Sequence, residues 1–273
     1  MNLDNPKHGQ HVGGFRRWAR TMLAHRRPDN GIHQDHEAGR AVYQTSTMGA
    51  LLDGIYDGDV TIAELLRHGD FGLGTFNHLD GEMLVLDGVC YRLRADGTAT
   101  AAGETDRTPF ATVTWFQADT TLAISVPTDR AALAERIDES LQSRNLIVAV
   151  RANGHFSRIH TRTVAEQHQP YPPLTEATSG QREATFTDVD GTVAGFRMPD
   201  YEQGISVAGY HLHYIDAARH RGGHAFDFEL ERGTVEISVL SELHLSLPRT
   251  PQFLQADLDP ADVNERIRRT EDG

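Results

Sequence analysis

The stretch of this chain richest in reactive side chains reads Gly209-Tyr-His-Leu-His-Tyr-Ile-Asp-Ala-Ala-Arg-His-Arg-Gly-Gly-His-Ala-Phe-Asp-Phe-Glu-Leu. His211 and His213 stand two apart in a segment with strand character. Strand side chains alternate, so both rings project from one face, with Cα atoms about 6.5–7 Å apart. From there two imidazoles can converge on one ion at about 2.0–2.1 Å each, the usual Zn–N distance. Gly222-Gly223 ends a loop and His224 opens the next strand, so a hairpin can bring a third ring alongside. Three histidines leave positions for carboxylate, water or substrate, as in catalytic rather than structural zinc sites. A His-x-His pair alone also suits a hydrogen-bonded surface pair, and the nearby third histidine is what strengthens the metal reading. His220 lies between Arg219 and Arg221, whose charges oppose a cation, so it stays outside the set.

Two further residues could do chemistry. Glu82 opens a strand that continues Met-Leu-Val-Leu. A carboxyl group beside a buried apolar strand has its pKa raised by desolvation, which suits a proton donor or acceptor near neutrality. The flanking Gly81 also allows a turn-edge glutamate in solvent. Arg162, in His160-Thr-Arg-Thr163, can grip a carboxylate bidentately or form half of a surface ion pair. Cys90 sits in an apolar hairpin and reads as core.

Composition narrows the possibilities. The chain has 273 residues, 39 acidic against 26 Lys/Arg side chains, a formal charge of −13, 15 histidines and one cysteine. That balance argues against a nucleic-acid partner, which calls for clustered Lys/Arg. One cysteine excludes an internal disulfide and a cysteine-based zinc cluster, leaving His and carboxylates as metal ligands. The longest apolar runs, such as 146–150, fall far short of the ~20 residues that cross a bilayer. A soluble, cytoplasmic globular protein is expected. Residues 1–39 differ from the rest: basic and histidine-scattered, they read as a disordered extension. Phe15-Arg-Arg-Trp18 brings an export signal to mind, but no apolar h-region follows it.

The elements that must position these residues can be read from pattern. Met48, Leu51, Leu52 and Ile55 have helical spacing, and Thr61-Ile-Ala-Glu64 has the form of a capping box. Strands are expected at 82–86 and 89–94 across Asp87-Gly88, and at 111–117 and 121–126. The longest amphipathic helix should span 129–143. A hairpin around Asn153-Gly154 should join strands 146–152 and 156–163. Further strands are expected at 184–189, 191–198, 209–215, 225–231, 234–240 and 242–247, with turns between them, and a last helical turn at 262–269. Pro170-Tyr-Pro-Pro173 marks a boundary between an N-terminal α/β part, 40–170, and an antiparallel β part, 171–273.

At these residues the chain resembles the α-acetolactate decarboxylase family, metal-dependent enzymes that make acetoin. The resemblance runs from about Tyr43 onward. It is carried by Tyr43-Gln-Thr-Ser-Thr-Met48, Leu51-Leu-Asp-Gly-Ile-Tyr-Asp-Gly-Asp59, Gly69-Asp-Phe-Gly-Leu-Gly-Thr-Phe-Asn77 and Leu79-Asp-Gly-Glu82. Tyr91-Arg-Leu-Arg-Ala-Asp-Gly-Thr-Ala99, Ser143-Arg-Asn145, Thr161-Arg-Thr163, Gly209-Tyr-His-Leu-His213 and Gly222-Gly-His224 complete it.

The resemblance implies an α+β fold: a mixed β-sheet with short helices, a barrel-like antiparallel C-terminal part carrying the metal site, and a homodimer. It implies that His211, His213 and His224 bind zinc, that Glu82 is a catalytic glutamate approaching the metal, that Arg162 is the active-site arginine, and that Thr75 lines the substrate pocket. A glutamate near the C-terminus also serves family members, and the register points to Glu271, with Glu265 one alignment slip away. The implied reaction is decarboxylation of 2-hydroxy-2-methyl-3-oxobutanoate to acetoin and CO₂ in the butanediol pathway, zinc stabilising an enediolate and a glutamic acid protonating it on one face. A cupin-type metal oxygenase using the same histidines is the rival reading, although only Asp216 follows His213 where that motif expects a glutamate. A barrel that binds metal or a small ligand without catalysis is the third.

Overall fold

The apolar patterning resolves, in a computed structural model describing residues 40–258 and 263–271, into short helices and two large sheets. The expected extension, residues 1–39, lies outside the described residues. In chain order the elements are β1 (Ala41–Thr45), α1 (Met48–Leu52), β2 (Val60–Thr61), α2 (Ile62–Leu65), β3 (Phe71–Thr75), β4 (Glu82–Leu86), β5 (Val89–Leu93) and β6 (Ala99–Ala101). Next come β7 (Arg107–Thr108), β8 (Phe110–Thr114), β9 (Thr120–Ile124), β10 (Thr128–Asp129), α3 (Arg130–Ser140), β11 (Ile147–Thr163) and α4 (Leu174–Ala177). The chain continues with β12 (Arg182–Met198), β13 (Gly209–Asp216), β14 (Gly222–Leu240), β15 (Glu242–Ser246), α5 (Pro251–Gln255) and α6 (Val263–Glu271).

Local chemistry explains where several of these begin. The Thr61 hydroxyl accepts from the Glu64 amide while the Glu64 carboxylate accepts from the Thr61 amide, so the expected capping box starts α2. The Asp129 carboxylate caps α3 through the Ala132 amide. That helix buries Leu133 and Ile137, the apolar stripe its spacing predicted.

Seven strands form a mixed sheet in the order β15-β1-β8-β3-β4-β5-β6, with β15 parallel to β1 and the other neighbours antiparallel. The second sheet is antiparallel and built on β14, β11, β12 and β13, with β9 and β10 along β14. It curls until β13 meets the start of β14, a barrel-like sheet that does not close. Leu133 and Ile137 of α3 cluster on its concave face with Val150, Val193, Leu212 and Phe228. Ala149, Ala194, Phe196 and Ile215 meet Phe71, Leu73 and Leu84 of the first sheet. The architecture is the mixed-sheet, barrel-like α+β arrangement expected.

Three expected turns are absent. Residues around Gly154, Gly191 and Gly233 run straight through as interior parts of the long strands β11, β12 and β14. In register, Gly154 faces Gly191 on one side and Gly233 on the other, a row of glycines across three strands. A Cβ at Gly154 would lie 2.3 Å from the Arg232 carbonyl oxygen. Here glycine permits a close approach between backbones, and local pattern cannot distinguish that from a turn.

Candidate metal centre

The strand spacing works as the sequence implied. His211 and His213 lie on β13, and the register pairs His213 with His224 where β13 meets β14. Ring centroids are 5.1 Å apart for His211–His213, 4.9 Å for His211–His224 and 5.4 Å for His213–His224. One ligand atom from each ring lies within 4.8 Å of the others, and among the described residues this is the set able to hold an ion. His220 is not in the set. Asp216 is engaged elsewhere, accepting from the His220 and Arg221 amides and from the Arg221 guanidinium at 3.0 Å.

His213 shows most directly what the cluster is for. It is fully buried, and its Nδ1 lies 2.8 Å from the Met83 carbonyl oxygen. A carbonyl can only accept, so Nδ1 carries the proton and Nε2 presents its lone pair. That Nε2 is buried without a hydrogen-bond partner. An orphaned lone pair beside two further imidazoles fits a divalent ion, and the carbonyl on the far nitrogen is the usual support for a metal-ligating histidine.

Electrostatics agree. Burial, then the charges of Arg162 and Arg130, bring His211 down to about 3 from an ordinary 6.5. Burial and His211 bring His213 to about 3, and burial with the neighbouring rings and arginines holds His224 well below its ordinary value. Neutral rings are what a metal requires. The Glu82 carboxylate, 3.7 Å from the His213 Nε2, is therefore beside a lone pair and not an imidazolium, so the contact is no salt bridge at neutral pH.

His211 and His224 open onto a pocket of about 610 Å³, its open mouth included. Thr75, Glu82, Arg162 and Thr270 supply its polar lining, while Met48, Leu51, Leu79 and Phe110 supply apolar wall. Thr75 and Glu82 are opposite each other on β3 and β4, and the Thr75 hydroxyl donates to the Gly81 carbonyl at 2.9 Å. Arg162 pairs in register with His224, is buried, and donates from Nη2 to the Thr270 carbonyl at 2.9 Å.

The structure thus brings Thr75, Glu82, Arg162, His211 and His224 to one pocket, with His213 completing the histidine cluster. Of the two C-terminal candidates, Glu265 is exposed on α6, whereas Thr270 lines the pocket and Glu271 follows it as the last residue of that helix. Sequence reasoning missed Thr270, Thr178 and Gln181 as lining, the last two because 175–182 has no clear period. It also missed Arg130, whose charge bears on His211 and His224. The first residue of a well-capped helix carries no local signal of a role elsewhere.

The model of the family described as alpha-acetolactate decarboxylase matches residues 42–260. The alpha-acetolactate decarboxylase of Bacillus subtilis strain 168 is 48% identical over 230 residues, 84% of this chain and 90% of that protein. The Klebsiella aerogenes protein of the same name is 46% identical over 230 residues, 84% of this chain and 88% of its own. The crystal structure of the Bacillus subtilis strain 168 protein superposes with a TM-score of 0.84 at 47% identity, covering 85% of this chain and 100% of that one. A Staphylococcus aureus structure, described as a protein of unknown function similar to alpha-acetolactate decarboxylase, gives 0.82 at 33% identity with the same coverage. Sequence and fold agree, and the chain belongs to the alpha-acetolactate decarboxylase family.

Proposed function

We propose that this protein converts 2-hydroxy-2-methyl-3-oxobutanoate to acetoin and CO₂, with Zn²⁺ on His211, His213 and His224. The observation that carries this reading is the buried, unpartnered Nε2 of His213 among three neutral rings, at a pocket also lined by Glu82 and Arg162. A zinc ion held there supplies a Lewis acid where negative charge develops on the substrate oxygens.

The remaining work falls to side chains. Arg162 is set to hold the substrate carboxylate and to orient the bond that breaks. As that bond breaks, its electron pair passes into the neighbouring ketone and leaves an enediolate. Glu82, as a carboxylic acid, then donates a proton to carbon from its own side of the pocket and fixes the product's handedness. Thr75, tied to the Gly81 carbonyl, shapes the wall next to Glu82. Glu271, the residue after Thr270 on α6, is the second acid in this reading. We further infer a cytoplasmic homodimer, on the family resemblance.

Incubating the purified protein with the substrate tests the reading: acetoin should form without O₂ consumption and should be lost on chelation. Oxygen uptake would favour the oxygenase, and binding without turnover the non-catalytic barrel.

A further inference from the structure

A second cavity, about 880 Å³ with its mouth included, lies between α3 and the concave face of the barrel-like sheet. Its origin is the incomplete closure of that sheet. β13 and β14 pair only through His213–His224, Tyr214–Gly223 and Ile215–Gly222. Before His213, β13 pairs with β12 alone, and beyond His224 the free edge of β14 is next taken up by β10 at Glu229 and Leu230. A seam is left between 209–212 and 225–228. Arg130, the first residue of α3, reaches it and donates from Nη2 to the Tyr210 carbonyl at 3.1 Å.

The cavity wall is mostly hydrocarbon, with Leu133, Ala134 and Ile137 from the helix and Val193, Leu212 and Phe228 from the sheet. His224 lines this cavity and also the pocket that holds Glu82 and Arg162, so its imidazole borders both spaces. Polar groups come from Arg130, Tyr210 and His224, and the Arg130 Nε is buried with no hydrogen-bond partner.

We propose that this cavity receives the CO₂ that leaves the substrate, an inference that rests on the decarboxylation reading above. When the carbon–carbon bond breaks, its electron pair stays with the organic fragment and the carboxylate becomes neutral, linear CO₂. The charge that held it to Arg162 is then gone. CO₂ carries no net dipole and only weak acceptor oxygens, so a mostly apolar space with an unpaired N–H suits it. Moving CO₂ behind His224 also separates it from the enediolate, which could otherwise recombine with it.

Crystals of the zinc-loaded protein pressurised with CO₂, and separately with xenon, test this. Both gases should appear between α3 and the β13–β14 seam in the wild type. Ala134→Phe should displace both, while Arg130→Met should keep xenon and lower CO₂ occupancy several-fold. Xenon without CO₂ in the wild type, or CO₂ unaffected by Ala134→Phe, overturns the proposal. Gas binding is read without turnover. An inactive protein that holds CO₂ would therefore sink the functional reading and not the cavity, and an active one without CO₂ density would do the reverse.

Discussion

The Nδ1 of His213 lies 2.8 Å from the carbonyl oxygen of Met83, the residue after Glu82. One hydrogen bond thus ties a candidate metal ligand on the second sheet to the strand of the first that carries the candidate acid. The tautomer of His213 and the position of Glu82 are consequently linked, and displacing β4 should disturb metal and acid together.

Metal content checks the ligand set. His213→Ala should lose most bound zinc, whereas His220→Ala, altering a ring outside the cluster, should keep full stoichiometry. Zinc retained in the first and lost in the second would overturn the assignment.

Glu82→Gln is nearly isosteric but has no carboxyl proton to transfer. Activity should fall by roughly 10²-fold or more, while zinc content and melting temperature change little. A variant with the wild-type rate, or one that unfolds, would make Glu82 structural.

The end of α6 offers a third check. Arg266 anchors this helix by donating to the Asp53 carboxylate at 2.7 Å and the Leu52 carbonyl at 2.8 Å, and Ile267 is buried beside α1 and α4. Glu271→Gln should therefore cut turnover severely with zinc retained, whereas exposed Glu265→Gln should be mild. Equal effects would mean that α6 serves packing alone.

Stability should depend on pH in a definite direction. His211 and His213 protonate near 3 in the folded chain and near 6.5 when unfolded. Between those values the unfolded state binds more protons, so the stability carried by the neutral rings is complete above 6.5 and drains away as pH falls. The melting temperature of metal-free protein should drop between pH 7 and pH 4, and drop less in His213→Gln. Parallel curves would count against buried neutral rings.

The glycine row makes a fifth prediction. Gly154→Val places its Cβ 2.3 Å from a backbone oxygen, not a movable side chain, so it should cost several kcal/mol, read from denaturant midpoints. A neutral effect would mean that the strands can separate there.

The candidate metal centre is legible because its three histidines sit close together in the chain: a period of two places His211 and His213, and one short loop places His224. Glu82 stood out as a carboxylate at the head of an apolar strand. Thr75 is singled out only by resemblance, since a threonine carries no pattern of its own, and Arg162 also reads as half of a surface ion pair, because it reaches the pocket through pairing with a distant strand. Arg162 meets His224 only once β11 and β14 align. The long strands were misread at their glycines for the same reason: a turn and a tight interstrand contact both select glycine, and only the partner strands tell which applies. In the first sheet β4 and β5 match expected strands, since the short Asp87-Gly88 turn joins them, whereas β1 and β3 are not among the expected strands.

The pairing of β1 with β15 bears on how the chain is made. Ala41 lies beside Glu242, roughly two hundred residues later in synthesis. Emerging from the ribosome, β1 can find β8 early, but its other edge stays open until β15 is translated, and α6, with the pocket-lining Thr270, comes later still. Such an edge invites pairing with other nascent chains. Slow production or low temperature should therefore favour yield, and truncations that remove β15 should aggregate rather than merely lose activity.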